Sequence, residues 1–207
     1  MPRSTHPYLL SNLRGKYFYL YLFLDIFSRK IVGFNVFDEQ NAEHAASVVS
    51  SAHRAENCCE GDVTLHSDNG GPMKGSTMLA MLQMLGIVPS FSRPSVSDDN
   101  PFSESLFKTL KYCPQYPSKP FCSEQEALTW VAKFVDWYNN IHQHSGINFV
   151  TPAARHQGLD REILSNRILV YEKAKQKNPI RWSRQTRNWM RIDEVYLNPK
   201  HTDRKTA

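Results

Sequence analysis

The run Lys16-Tyr-Phe-Tyr-Leu-Tyr-Leu-Phe-Leu-Asp25 constrains the fold more than any other stretch. Its apolar part, Tyr17 to Leu24, is the longest in the chain. It is far too short for a membrane helix, which needs about 20 such residues. Its length and aromatic content favour a buried strand over a helix. The polar corner Ser28-Arg29-Lys30 follows, and Ile31 to Phe37 supplies a second strand. So short a connection makes the two an antiparallel hairpin.

Asn41 reads as the N-cap of a helix through Ala42, Ala45, Ala46, Val48 and Val49. A third strand, Val63 to Ser67, ends at Asp68 and the turn Asn69-Gly70-Gly71. Ser76 to Leu85 is a helix stopped by Gly86, and Ile87 to Phe91 a short strand. A Ser/Asp/Pro-rich loop leads to a helix capped by Asn100 with Pro101 first inside it. Ser123 starts a long amphipathic helix to about Asn140. A shorter helix, Arg161 to Lys175, precedes a Trp- and Arg-rich tail with a possible strand at Glu194 to Leu197. Residues 1–13 show no sustained period and hold two prolines, so they are expected to be irregular. The order is mixed α/β, with an antiparallel hairpin joined to parallel strands.

At 41% hydrophobic and 22% charged the chain is globular, which excludes wholesale disorder and fibrous repeats. Four cysteines, two of them adjacent, form no disulfide framework, and nothing at the start resembles a secretory leader. A cytosolic protein is expected. Charge is uneven: residues 1–160 carry a net −2 and residues 161–207 a net +7. A basic tail suits a polyanion, nucleic acid before membrane, and equally a solubilising end.

Two carboxylates stand where such a fold uses them. Asp68 falls at the carboxyl end of a buried strand, where open α/β sheets place their sites. Glu104 lies in the first turn of a helix whose dipole favours the ionised form. Lys108 and Lys111 follow on the same face, Lys111 about 10 Å along the axis. Carboxylate oxygens suit Mg²⁺ and lysines suit phosphate, although a capped helix with solvent lysines has the same pattern. Trp182, Trp189 and Tyr196, interleaved with Arg181, Arg184, Arg187 and Arg191, could stack on bases or fold a terminal module against the core.

Thirty-five residues separate Asp68, in His66-Ser-Asp-Asn-Gly-Gly71, from Glu104, in Asp99-Asn-Pro-Phe-Ser-Glu104. Downstream come Trp137-Tyr-Asn-Asn140, His142-Gln-His-Ser145 and Val150-Thr-Pro152. With the Asp25 to Lys30 corner and the Arg181-Trp-Ser…Leu197-Asn-Pro tail, these resemble the retroviral-integrase-like DDE transposases of bacterial insertion sequences, in their second-frame catalytic protein. The resemblance implies a ribonuclease-H-like mixed sheet flanked by helices, plus a basic C-terminal tail. It divides the chain into an N-terminus (1–13), an integrase catalytic core (14–160) and a basic extension (161–207). It further implies catalytic, metal-binding Asp68 and Glu104 with Mg²⁺ or Mn²⁺. The expected DNA contacts are Lys108, Lys111, Arg181, Arg184 and Arg187. The reaction would be phosphodiester cleavage and strand transfer on element ends and target DNA. Partners would be further copies or transposase subunits, at the bacterial nucleoid and not a membrane.

One departure matters. Two close divalent ions normally need three carboxylates, and the family's first Asp lies in a strand just before the hairpin. Counting back from Arg14 puts that position near Thr5, and no Asp or Glu occurs before Asp25. The chain is therefore expected to be truncated at its start and unable to transpose alone. A non-catalytic DNA-binding or oligomerisation remnant is the alternative.

Overall fold

The computed structural model describes residues 2–11, 17–93 and 99–197, the first segment as backbone. Five strands form one sheet: β1 (Pro2–Ser11), β2 (Tyr17–Asp25), β3 (Ile31–Phe37), β4 (Thr64–Ser67) and β5 (Val88–Phe91). Their spatial order is β3-β2-β1-β4-β5. β2 and β3 make the expected hairpin, with an irregularity at Phe23/Leu24. β1 runs antiparallel to β2, Arg3 opposite Asp25, and parallel to β4, Thr5 opposite Ser67. β4 and β5 are parallel.

β1 corrects the expectation of an irregular N-terminus. Two prolines and no period hid it, because proline is rare inside sheets. The pairing with β4 ends at Thr5, so Pro7 lies where one side of β1 has no ladder to interrupt. β1 occupies the centre of the sheet, and β2 is no exposed edge.

Seven helices complete the described chain: α1 (Ala42–Ala55), α2 (Gly71–Lys74), α3 (Ser76–Met84), α4 (Pro101–Lys111), α5 (Glu124–Asn140), α6 (Pro152–His156) and α7 (Asp160–Lys177). Caps act where the side chains suggest. Asn41 accepts the His44 N–H at 2.7 Å, and Ser123 the Glu126 N–H at 3.1 Å. Asn100 occupies the N-cap of α4, but its side chain makes no capping bond. The short helices α2 and α6 were not visible as periodic patterns. Residues 194–197 form no strand. Among the described residues no strand forms a ladder with them, and an isolated strand has nothing to hold it.

Both faces of the sheet are covered, which explains the unbroken apolar run of β2. Phe18, Leu20, Leu22 and Leu24 pack against α4 and α5 through Leu106, Leu110, Val131 and Phe134. Tyr21 and Phe23 pack on the opposite face with Ala45, Val49, Met78 and Leu82 of α1 and α3. Among the described residues no helix is long and apolar enough to cross a membrane.

Candidate active site

Asp68 follows directly after β4, whose last residues are buried, and is itself half-buried. Its surroundings are pinned from the β5 side. The Ser92 N–H donates to Ser67 O at 2.9 Å, and Asn69 Nδ2 to Ser92 O at 2.8 Å. His66 is buried with its ring nitrogens 3.0 Å from Ser90 Oγ and 3.3 Å from Ser92 Oγ. Burial pushes its pKa down, so it serves as a neutral strand residue.

Asp99 closes the next loop. Its buried carboxylate accepts the Arg93 backbone N–H at 2.7 Å and the Arg93 side chain at 3.0 and 2.8 Å. This clamp brings the start of α4 back to the end of β5. Asp68 and α4's first turn therefore stand at the end of the sheet where β4 and β5 finish. α4 buries Ser103, Leu106, Phe107 and Leu110, leaving Glu104, Lys108 and Lys111 exposed together.

The strand register sets the start of β1 against the end of β4. Thr5 lies opposite Ser67, the residue before Asp68. Position 6 is opposite Leu22, a member of the α4–α5 cluster, whereas position 5 is opposite Phe23 of the other face.

Asp25 does not substitute. It sits opposite Arg3 and is 1% exposed. Ser28 Oγ donates to it at 2.5 Å, and the Phe27 and Ser28 N–H groups at 3.2 Å each. Burial alone would raise its pKa, but bonds from His156, Ser28 and the Phe27 N–H outweigh that and hold it at about 2. Among the described residues no group of three or more His, Cys, Asp or Glu is placed to hold a metal ion. Asp68 and Glu104 offer two carboxylates against the four positive charges of two divalent ions. The donor set does not fit a two-ion centre.

The tail resolves into a strap on α7. Trp189 is buried among Ile147, Val150 and Leu164, and Trp182 meets Tyr171 edge-on at 5.8 Å. The Arg187 guanidinium lies 4.6 Å from the Phe149 ring and 5.1 Å from Trp189, within the strap's docking surface. Arg181 and Arg184 are exposed.

Sequence reasoning missed the clasp that joins these parts. His156 Nε2 lies 2.8 Å from Glu56 Oε2 and its Nδ1 3.3 Å from Asp25 Oδ2. Lys30 Nζ completes the cluster at 2.7 Å from Glu56. Fully buried Arg155 donates Nε to Phe27 O at 2.7 Å and Nη2 to Ile192 O at 2.5 Å. The signal was the Thr151-Pro152 pair: Thr151 Oγ1 accepts the Ala154 N–H and starts α6, which carries Arg155 and His156.

Comparisons with known proteins agree with this geometry. Two integrase core domain models match consecutive stretches, residues 8–97 and 85–152. The transposase for insertion sequence element IS904 of Lactococcus lactis subsp. lactis (strain IL1403) is 30% identical over 135 residues, 65% of this chain and 53% of that protein. The chain thus spans about half the length of this curated relative. The simian T-cell lymphotropic virus intasome, solved with the PP2A regulatory subunit B56 gamma, superposes with a TM-score of 0.60 at 14% identity, over 74% of this chain and 52% of that one. The catalytic domain of the Mos1 mariner transposase gives 0.52 at 14%, over 65% and 69%. At such identity these two speak for the fold alone, which is ribonuclease-H-like. With two overlapping integrase core models that together span residues 8–152 and an insertion-sequence transposase among its relatives, the chain belongs to the integrase-core family.

Proposed function

We propose that this chain is the catalytic-core part of an insertion-sequence transposase, acting on DNA phosphodiesters, with its acidic centre incomplete. The observation that carries this reading is the shared placement of Asp68 and Glu104 at one end of a ribonuclease-H-like sheet. Members of this family use divalent metals, and Mg²⁺ or Mn²⁺ would be held by those two residues. With no Asp or Glu before Asp25 to supply a third carboxylate, one ion at most would bind, and weakly. Lys108 and Lys111, on the exposed face of α4, would take non-reacting phosphates, and Arg181 and Arg184 would extend the contact along the duplex. Arg187 supports the strap first and DNA second, given its stacking on Phe149 and Trp189. Further copies of the chain or intact transposase subunits are the expected partners.

A second reading, a DNA-binding or oligomerisation remnant, is favoured by the same missing carboxylate. One experiment separates them: nicking and joining of a labelled, pre-cleaved element-end duplex in Mg²⁺ and in Mn²⁺, with Asp68→Ala as control, beside a binding titration over salt. The expected result is salt-sensitive binding, no Mg²⁺-dependent joining, and at most a trace of Mn²⁺-dependent nicking that Asp68→Ala removes. Robust Mg²⁺-dependent joining would refute the incomplete centre. Absence of duplex binding would refute action on DNA.

A further inference from the structure

Arg29 sits in the hairpin corner with a left-handed backbone (φ 66°) and is only 9% exposed. Its Nε and Nη1 are sealed from solvent with no hydrogen-bond partner. The guanidinium lies 3.9 Å from the centre of the Phe102 ring, in the first turn of α4. A buried cation with empty donors is a standing cost to the fold, so it calls for an explanation beyond packing.

The groups around it are donors too. Tyr138 is 1% exposed, and burial raises its pKa, so its hydroxyl keeps its proton. His144 accepts the Gly146 N–H on Nδ1 at 3.0 Å, which leaves its own proton on Nε2. Burial, then Arg29, then His142 bring the His144 pKa down to about 4, so the ring is neutral near pH 7. The Tyr138 and His144 rings are 6.3 Å apart, and His142 stacks on Tyr138 at 5.5 Å. Arg155 adds positive charge nearby. Asp25, the carboxylate that attracts Arg29, is occupied by Ser28, the Phe27 N–H and His156. Phe102, His142 and His144 around it are half-buried.

We propose that Arg29, Tyr138 and His144, roofed by Phe102, form a binding site for a phosphate group. Donors without an acceptor are complementary to an oxyanion, and an arginine–oxyanion bond is charge-assisted. The phosphate comes from a DNA backbone or from solution. The DNA source rests on the function proposed above and would place a phosphodiester beside the helix that carries Glu104.

The test is thermal melting of the full chain in phosphate-free buffer, titrated with sodium phosphate, with sodium chloride at matched ionic strength, and with a short DNA duplex. Phosphate is expected to raise the melting temperature by several degrees over chloride. Arg29→Met is expected to melt no lower than the wild type without phosphate, and to gain nothing from it. Tyr138→Phe keeps the charge and is expected to reduce the gain. A duplex-induced shift that shrinks in Arg29→Met identifies the DNA backbone as the source. A duplex shift untouched by the variant, beside a lost phosphate shift, identifies free phosphate. Equal shifts with chloride, a phosphate shift that survives Arg29→Met, or a lower melting point of that variant in phosphate-free buffer would overturn the site. Should Arg29→Met fail to fold, Arg29→Lys carries the test, and an undiminished phosphate shift in it would overturn the site too. Such failure would leave salt-sensitive duplex binding through Lys108 and Lys111 unaffected, so the two proposals fall separately.

Discussion

His156 is held between two carboxylates that belong to different elements, Asp25 at the end of β2 and Glu56 at the C-cap of α1. Its hydrogen bond to Asp25 raises its pKa against the opposing effect of burial. The stability from this raised group is complete below about pH 6.5 and is lost as pH rises through the raised value. Asp25 works in the opposite direction. Its pKa, held at about 2, gives stability present above about pH 4 and lost as pH falls through 2. Nearly two pKa units correspond to about 2 kcal/mol. The clasp should therefore contribute most between about pH 4 and 6.5. Denaturant midpoints from pH 2 to 9 should show that Asp25→Asn loses about 2 kcal/mol at pH 6 and flattens the acid limb. His156→Gln should flatten the limb above pH 6.5. Burial lowers the pKa values of His66, His142 and His144, so these add stability as pH rises. The clasp must be read from the difference between wild type and variant, and an alkaline limb identical in both would exclude it.

The strap that ends the described chain is an element without secondary structure, held by side chains. Trp189 is 6% exposed, Asn148 Nδ2 donates to Met190 O at 2.7 Å, and Arg191 Nε donates to Asp160 at 2.8 Å. Trp189→Ala should remove about 3–5 kcal/mol of local stability, because a buried aromatic leaves a cavity. The strap carries Arg184, Arg187 and Arg191, so trypsin should cut there within minutes in the variant while the sheet stays protected. Equal protection in both proteins would mean that Trp189 does not anchor the strap. Elements of this kind are the ones the sequence hid. The hairpin, α1, α5 and β4 announce themselves by apolar runs and by Asn41 and Ser123, because their signals are local. β1 has no such signal: its place is fixed by partners on both sides, Leu22 and Phe23 on one and His66 and Ser67 on the other. The clasp was equally invisible, since Asp25 and His156 are joined only through the fold. The positions of Asp68 and Glu104 on their elements were legible because each marks the end or start of a local element.

At the scale of the whole molecule, the blocks that carry the family resemblance form two assemblies that meet at the first turn of α4, where Phe102 lies against Arg29. Asp68, the Arg93–Asp99 clamp and Glu104 lie where β4 and β5 finish. The Asp25–Lys30 corner, Tyr138, Asn139, His144, Thr151 and the strap form a second assembly around the hairpin turn. Asn139 shows how it is bound together: its amide takes the Ile31 N–H at 2.9 Å and donates to Ile31 O at 3.0 Å. On the reading proposed above, the acidic end is one carboxylate short while the second assembly keeps its bonds. A scaffold that is whole around one missing ligand should recover chemistry when that ligand is supplied. His6→Asp puts a carboxylate in register with Leu22, which belongs to the α4–α5 cluster. Thr5→Asp puts it in register with Phe23, on the face packed by α1 and α3. Neighbouring strand residues point to opposite faces, so one substitution controls for the other. On a pre-cleaved duplex, His6→Asp should acquire Mn²⁺-dependent nicking at least tenfold above the wild type, a gain of about 1.4 kcal/mol in transition-state stabilisation. Thr5→Asp should not, and adding Asp68→Ala to His6→Asp should abolish the gain. Nicking by Thr5→Asp alone would invert the assigned face. If neither variant is active while duplex binding persists, the defect lies beyond the acidic residues, and the binding-remnant reading becomes the better account of the chain.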